Sequence, residues 1–357
     1  MSRRPRAALI AGVIAVFAGA AVAVWLLPSG SRDADPAPAS VRSPTAHAST
    51  RPPPVGPIPG YLLIADRGNN RMLLIDGGKR ILWRYPKPGT KPAMPFTYDD
   101  DAFFAPGWGS IITNEEDQQT IEQISFPGAK LEWSYGHVNA PGSSSGYLNG
   151  PDDAYVRADG LRTVADIRNC RILFIAPSRR VAHQLGTTDS CVHDPPRSFA
   201  EPNGDTPLPN GDTLVTEIDG AWIDRVSLSG QLRWAVQAPI TYPSDAQLLP
   251  RGRILIAGYT SPGQIVIMSR KGHVLWRYGP SVGPGALDHP SLALRLPNGL
   301  IAVNDDYNDR VVLIDPLKDR IVWQYGHDNR PGKAPGYLNI PDGLDFLPAR
   351  DAPAGLG

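Results

Sequence analysis

The sequence predicts an all-β fold, a six-bladed β-propeller of four-stranded blades, preceded by one transmembrane helix. A strand-and-turn pattern recurs along the chain, and glycine (36 residues) and proline (38 residues) separate short apolar runs as turns separate strands. The C-terminal segment also resembles the inner strand that the first repeat lacks. The chain has 35 lysine and arginine residues and 35 aspartate and glutamate residues. Because basic residues are not in excess, a nucleic-acid partner is not predicted.

The N-terminal segment predicts a membrane anchor. Residues 1–6 contain three arginines and form a cytoplasmic basic stub, and residues 7–27 are apolar and uncharged. This length matches the roughly 20 residues of a membrane-spanning helix. A cleaved signal peptide is the alternative, but apolar residues continue through Trp25 and Leu27, which favours an uncleaved signal-anchor. The prediction is a single-pass protein of the cell membrane with its propeller on the extracytoplasmic side.

The next boundaries follow from composition. Residues 28–59 are rich in Pro, Ala and Ser and predict a disordered linker, because they contain few large apolar side chains to bury. Residues 60–350 form the predicted propeller, and residues 351–357 a short tail.

Four of the predicted inner strands follow one spacing rule. A proline is followed seven residues later by proline or alanine, and two residues further by glycine. Four copies keep this spacing: Pro151–Ala158–Gly160, Pro202–Pro209–Gly211, Pro243–Pro250–Gly252 and Pro290–Pro297–Gly299. The second strands then begin near Tyr61, Ile111, Leu161, Asp212, Arg253 and Leu300, which gives six blades.

The remaining strands and ring closure follow from the same repeat. A polar turn that closes on arginine precedes the third strand, as at Asn70-Arg71, and the fourth strand often ends Trp-x-Tyr-Gly, as at residues 133–136. The first repeat lacks an inner strand, and residues 341–348 can supply it. The two ends of the chain are therefore predicted to share one blade, which leaves no open sheet edge.

These elements resemble known propeller repeats. The succession of L-P-N-G at residues 296–299, an apolar strand ending in aspartate, N-x-R and G-x-x-x-W is similar to NHL-repeat and quinoprotein-like (PQQ-like) propellers over roughly residues 60–348. The resemblance implies a fold but no single activity. Bound PQQ is not expected. The quinoprotein dehydrogenases that bind it are larger, eight-bladed propellers with adjacent cysteines in the site, and this sequence predicts neither feature. The repeats also resemble six-bladed arylsulfotransferases, which use a histidine as sulfuryl acceptor, and His289 is the nearest candidate.

Two connecting loops of equal length, residues 135–152 and 325–342, predict polar groups on one face of the ring. The weak catalytic candidates are His289, His137 and His327, and the predicted ligand-binding face comprises Asp99, Asp100, Asp152, Asp153, Asp245, Asp342, Tyr147 and Tyr337. Carboxylate oxygens around an axis suit Ca²⁺, with Asp152 and Asp342 as the predicted ligands. The structural alternative is that these groups join neighbouring blades and that Asp66, Asp166 and Asp305 pair with nearby arginines. Repetition favours that alternative, because an active site needs asymmetry.

The two cysteines, Cys170 and Cys191, are predicted to form a disulfide in an exported protein. Two unpaired thiols or an intermolecular bond are the alternatives. The bridge would place the irregular loop 185–202 over the channel mouth.

The predicted function is a binding or scaffold module for a glycan, peptide or protein partner on the loop-rich face. The H-E-x-x-H, P-loop and Rossmann motifs are missing from the sequence, and the G-x-S-x-G pattern at residues 142–146 lies in a connecting loop rather than in a strand-turn-helix nucleophile elbow. The alternative is an exported propeller enzyme, either an arylsulfotransferase-like transferase or a metal-dependent hydrolase or lyase.

Overall fold

The computed structural model describes residues 55–356, which form six four-stranded antiparallel sheets. This confirms the predicted propeller. Blade 1 comprises β1 (Gly60–Asp66), β2 (Arg71–Asp76) and β3 (Ile81–Tyr85) with β24 (Pro341–Pro348); blade 2 comprises β4 (Ala102–Phe104), β5 (Ser110–Glu115), β6 (Thr120–Ser125) and β7 (Leu131–Gly136); blade 3 comprises β8 (Pro151–Val156), β9 (Arg162–Asp166), β10 (Arg171–Ile175) and β11 (Val181–Leu185). Blade 4 comprises β12 (Pro202–Pro207), β13 (Asp212–Glu217), β14 (Trp222–Ser227) and β15 (Leu232–Gln237); blade 5 comprises β16 (Pro243–Leu249), β17 (Arg253–Gly258), β18 (Gln264–Ser269) and β19 (Val274–Tyr278); blade 6 comprises β20 (Ala293–Arg295), β21 (Ile301–Asp305), β22 (Arg310–Asp315) and β23 (Arg320–Gly326). Short 3-10 helices span Arg67–Asn69, Ile167–Asn169, Pro250–Gly252 and Asp306–Asn308.

The ring closes through the C-terminal strand, as predicted. β24 pairs antiparallel with β1 in a register that places Leu347 opposite Tyr61 and Leu344 opposite Ile64. Both leucines are buried. The last strand therefore completes the blade that the first strand began, and β1 is not left as an unpaired edge.

The hydrophobic core lies between successive sheets. Side chains alternate along each strand, so adjacent residues face opposite neighbours. In blade 1, Leu73 packs in a cluster that contains Leu313 of blade 6, whereas Leu74 packs with Ile111 and Ile124 of blade 2. Each such buried side chain contributes roughly 1.5–3 kcal/mol through burial, which explains why both faces of the central strands are apolar.

Three tryptophans of the outer strands connect neighbouring blades. The indole Nε1 of Trp83 donates to the carbonyl oxygen of Pro127 at 3.0 Å, and that of Trp133 donates to Pro177 at 3.1 Å. Trp323 does the same to Gly77 at 3.0 Å. The Trp-x-Tyr-Gly pattern thus marks where an outer strand meets the turn of the next blade, with the polar indole atom paired.

The residues at either end of the ring pack against it. Ile58 is fully buried, and the carbonyl oxygen of Pro57 accepts a 2.8 Å hydrogen bond from Asn298. Ala352 is also buried. The predicted stub, transmembrane helix and residues 28–54 of the linker lie outside the described residues. Over residues 55–356, the structure contains no helix of the length and apolar character needed to span a bilayer.

Candidate functional site

Three blades carry the same buried Asp–Asn–Arg set between their second and third strands. The sets are Asp66, Asn69 and Arg71; Asp166, Asn169 and Arg171; and Asp305, Asn308 and Arg310. In blade 1 the Arg71 Nε donates to Asp66 at 2.5 Å, and its other nitrogens donate to the carbonyls of Lys333 and Tyr337. The corresponding Arg–Asp distance is 2.7 Å in the two other blades. These aspartates therefore pair with nearby arginines, as the structural alternative predicted. The Asp–Arg pairs attach the connecting loop of the preceding blade.

The paired histidines and tyrosines of the two long loops contact each other rather than the channel. His137 packs on Tyr147 with ring centroids 4.2 Å apart, and His327 packs on Tyr337 at 4.3 Å. None of these four residues is among those that line the pocket on the ring axis. They order their own loops.

The central pocket contains most of the predicted aspartates. It has a volume of about 270 Å³ and receives side chains from every blade, so it lies on the ring axis at the channel mouth. We call it the axial pocket. Its carboxyl groups belong to Asp100, Asp101, Glu116, Asp152, Asp153, Asp245 and Asp342. The other lining residues are Arg67, Tyr98, Ile167, Asn203, Tyr242, Ser244, Tyr259, Ser291, Tyr307 and Ile340.

The strand geometry explains why aspartates converge there. The inner strands shift register just after their first residue, between Pro151 and Ala154 in β8 and between Pro243 and Ala246 in β16. Such a bulge re-aims the side chains of the extra residues. Asp152, Asp153 and Asp245 lie in these shifts and line the axial pocket.

Arg67 is the single basic residue among the described residues that lines the axial pocket. It forms ion pairs with Asp100, with Asp342 at 2.7 Å and with Glu116 at 3.2 Å. Asp342, one of the two predicted Ca²⁺ ligands, is therefore already paired, and so is Asp100. Sequence inspection did not identify Arg67 or Glu116, because their positions after β1 and β5 carry no motif.

The carboxyl groups that Arg67 does not contact are destabilised as anions. Burial, and next the charge of Asp101, raises the pKa of Asp152 well above its ordinary value. Burial and the neighbouring Asp342 raise the pKa of Asp101 to about 8. Burial also raises the pKa of Asp245 to about 6. Asp101 and Asp152 therefore retain protons near neutral pH unless a cation replaces them, whereas Asp245 is mostly ionised at pH 7.

Oxygen atoms of Asp100, Asp101 and Asp152 lie within 4.8 Å of one another. Oxygen ligands of Ca²⁺ lie about 2.3–2.6 Å from the ion, so two ligands on opposite sides are about 5 Å apart. The three carboxylates thus have the spacing of a shared cation site. Asp101, which the ligand prediction omitted, belongs to this group together with the predicted Asp100 and Asp152.

Aromatic side chains form the rim of the axial pocket. Tyr242 and Tyr259 contact each other edge-on at 5.2 Å, and the Tyr242 hydroxyl donates to Asn203 at 3.3 Å. Burial raises the pKa of both tyrosines, so they stay neutral. His289 lies behind this rim: its ring contacts Tyr259 at 4.9 Å and Tyr307 at 4.7 Å, and its Nδ1 is 2.6 Å from Asp288.

Asp99 lies apart from the axial pocket, although it was predicted on the binding face. Its side chain is buried, and within the described residues its carboxylate oxygens have no hydrogen-bond partner. Burial, and next the charge of Glu115, raises its pKa well above the ordinary value. It therefore belongs to the interior of blade 2.

The predicted disulfide between Cys170 and Cys191 is confirmed, with the two Cα atoms 5.2 Å apart. It attaches the loop of residues 186–201 to blade 3. The loop does not cover the channel, because none of its residues lines the axial pocket. It lies instead against blade 4, where the main-chain N–H of Ala200 donates to the carboxylate of Glu217.

The solved structures that are similar to this chain share its fold at low identity. A protein of unknown function from Bacteroides caccae has a TM-score of 0.55 at 19% identity, covering 80% of this chain and 98% of that one. A chain of a nidogen/laminin complex has a TM-score of 0.53 at 12% identity, covering 80% and 97%. A streptogramin B lyase has a TM-score of 0.48 at 15% identity, covering 68% and 72%. No protein-family profile and no curated protein sequence matches the chain.

The likenesses to the Bacteroides caccae protein and to the nidogen/laminin chain support the propeller fold alone. The finer resemblance to NHL-repeat and PQQ-like propellers stays a prediction.

Proposed function

We propose that this protein is a binding module on the outer side of the cell membrane, and that its axial pocket takes a cationic ligand. The observation that carries the proposal is the excess of acidic groups in the pocket: among the described residues, seven carboxyl groups converge on it and one arginine faces them. Burial strengthens electrostatic interactions, so a cation that enters gains more from these groups than it would at an exposed surface.

Ca²⁺ is the cation that the donor set supports best. The ligand atoms are hard oxygens, and Asp100, Asp101 and Asp152 are spaced for one ion. Ca²⁺ takes about six to eight oxygen ligands, and hydroxyls of Ser244 and Ser291 line the same pocket. Hydroxyls of a glycan, or carbonyl oxygens of a peptide or protein partner, would complete the coordination on the open side.

The charge of the axial pocket supports binding over sulfuryl transfer. A sulfate ester is an anion, and seven carboxyl groups disfavour its entry. The candidate acceptor His289 lies behind Tyr259 and Tyr307 and does not line the pocket. A metal-dependent hydrolase or lyase is the second candidate, and the converging carboxylates of Asp100, Asp101 and Asp152 are the observation that favours it.

Calorimetric titration of the purified full chain with Ca²⁺, Mg²⁺ and spermidine at constant ionic strength tests the proposal. We expect Ca²⁺ to bind with one ion per chain, and Asp152→Asn to weaken that binding at least tenfold. Asp219→Asn, which changes an exposed aspartate, is the matched control and should bind Ca²⁺ normally. If spermidine binds and Ca²⁺ does not, the ligand of the axial pocket is an organic amine and not Ca²⁺. Absence of binding by all three cations would overturn the proposal.

Membrane attachment needs its own experiment, because residues 1–54 lie outside the described part of the chain. We expect the full chain to stay in the membrane pellet after alkaline carbonate extraction, and external protease to cleave beyond residue 28. A soluble mature protein that begins near residues 21–24 would instead indicate a cleaved signal peptide.

A further inference from the structure

Blade 4 departs from the repeat at two paired positions. In blades 1, 3 and 6 the acid that ends the second strand lies opposite an arginine, as Asp66 lies opposite Arg71. In blade 4 the acid is Glu217, and Trp222 lies opposite it. Two residues after Trp222, the third strand of blade 4 carries a second acid, Asp224. The residues at the same position in blades 1, 3 and 6 are apolar: Leu73, Leu173 and Val312. Blade 4 thus has one more acid and lacks the arginine.

The two acids share one face of blade 4. Asp224 lies opposite Val215, and Glu217 follows Val215 by two residues, so all three side chains point the same way. Val215 packs in a cluster with Ile172 of blade 3 and Phe199 of the loop. Glu217 and Asp224 are therefore inside the interface between blades 3 and 4, and both side chains have zero exposed area.

The Asp224 carboxylate is unsatisfied. Over the described residues, no N–H or cationic group donates a hydrogen bond to either of its oxygens, and the side chain of Glu217 lies within hydrogen-bonding distance of it. One Glu217 oxygen accepts the N–H of Ala200, and the other faces His193. Within the same part of the chain, no lysine or arginine lies within 4 Å of either carboxylate; their ion-pair contacts are to His193. A buried carboxylate without a hydrogen bond or a cation is costly, which points to a missing positive ligand.

His193 completes the group from the disulfide-linked loop. Its Nδ1 is 2.9 Å from a Glu217 oxygen and 3.9 Å from an Asp224 oxygen. The ring stacks on Trp222 with centroids 3.9 Å apart, which fixes its orientation, and its side chain is 23% exposed. Cys191, two residues earlier, is bonded to Cys170 of blade 3 and so limits how far His193 can move.

We propose that His193, Glu217 and Asp224 bind one Zn²⁺ ion, with the fourth coordination position open to solvent beside the exposed edge of the imidazole. Zn–N and Zn–O distances are about 2.0–2.2 Å, so ligand atoms of a tetrahedral site are about 3.4 Å apart. The observed 2.9 and 3.9 Å separations bracket that value. An imidazole nitrogen among the ligands favours Zn²⁺ over Ca²⁺.

The surroundings also suit a metal site. The ion's two positive charges neutralise the two carboxylates, which supplies what arginine supplies in blades 1, 3 and 6. The Ala200 N–H orients Glu217, as hydrogen bonds to ligands commonly do in metal sites. The ion would join the loop of residues 186–201 to blade 4, while the disulfide joins the same loop to blade 3.

The test uses the full chain, stripped of metal with EDTA and titrated with Zn²⁺ in the presence of excess Ca²⁺. Metal content is measured by mass spectrometry, and Co²⁺ substitution reports nitrogen coordination through its visible spectrum. We expect one Zn²⁺ per chain. His193→Gln and Asp224→Asn should each weaken binding about 100-fold or more, because losing a hydrogen-bond partner of a ligand already costs about 10- to 100-fold.

Two controls separate this site from other sources of binding. His183→Gln changes a histidine of blade 3, and Glu122→Gln changes the buried acid that occupies the position of Asp224 in blade 2, where no histidine is adjacent. Both should bind Zn²⁺ normally. Absence of Zn²⁺ binding, or binding that survives both His193→Gln and Asp224→Asn, would overturn the proposal. Zn²⁺ binding that is lost in Asp152→Asn would assign the ion to the axial pocket and would also overturn it.

Discussion

Leu347 tests whether closure of the ring by β24 stabilises the whole propeller. Its side chain is fully buried, lies opposite Tyr61, and packs with Leu63 and Leu74. Leu347→Ala removes three carbon atoms, which lowers the burial free energy by about 2.4 kcal/mol at roughly 0.8 kcal/mol per carbon. The remaining cavity adds to this cost, so we expect the free energy of unfolding to fall by about 3–4 kcal/mol.

The measurement is urea unfolding of the full chain, followed by tryptophan fluorescence. Leu173→Ala removes an equally buried leucine from the third strand of blade 3, and Leu317→Ala changes a leucine that is 94% exposed. We expect Leu347→Ala and Leu173→Ala to lower stability by similar amounts with an unchanged dependence on urea, and Leu317→Ala to change it by less than about 0.5 kcal/mol. If Leu347→Ala behaved like Leu317→Ala, β24 would be a frayed end and the closure argument would be refuted.

Three further changes probe burial, covalent linkage and blade contacts. Burial raises the pKa of Glu122 from 4.5 to about 7, so the folded state keeps a proton that the unfolded chain releases. The contribution of this group to stability should therefore fall by about 3 kcal/mol as pH rises from about 4.5 to 7, on top of the contributions of the other buried acids. Glu122→Gln should reduce the pH dependence of the free energy of unfolding by that amount, and a curve identical to the wild type would contradict the assignment. Replacing Cys170 and Cys191 with alanine should lower stability by about 3 kcal/mol, because their bond closes a 21-residue separation, and intact mass after alkylation should show no free thiol in the oxidised wild type. Arg71→Met should cost about 3–5 kcal/mol and speed hydrogen exchange in loop 327–340, because it leaves a buried aspartate uncompensated. Arg197→Met breaks an ion pair in which the arginine is 79% exposed and Asp194 is 47% exposed, so it should cost less than about 1 kcal/mol. Equal losses in the two variants would contradict the argument that burial sets the cost of losing the arginine.

Local pattern was enough to predict the blades, their order and the closing strand. Strand alternation and turn residues act over a few positions, so the six second strands could be read directly from the chain and the structure contains them. The buried Asp66–Arg71 pair could also be predicted from the sequence, because the two residues are only five positions apart across one turn.

The residues of the axial pocket could be predicted from the sequence only in part. Asp153 and Asp245 occupy equivalent positions, two residues after the proline that opens an inner strand, and Asp152 directly precedes Asp153. A closed ring places the starts of all inner strands around one axis. The role of Arg67 could not be predicted from the sequence, because it depends on contacts with Asp100 and Asp342, which come from separate blades. The functional assignment of the pocket and the membrane anchor stay predictions.

The sequence by itself determined the architecture, because a repeated pattern states the same local rule six times and ring closure follows from the count. Only the tertiary structure decided which polar groups meet. His137 carries the more conspicuous motif but stacks within its own loop, whereas His193 carries no motif and meets Glu217 and Asp224. That meeting depends on how one disulfide-linked loop folds against the face of the next blade, and the energy of such a contact comes from packing between residues far apart in the chain, which no local spacing records.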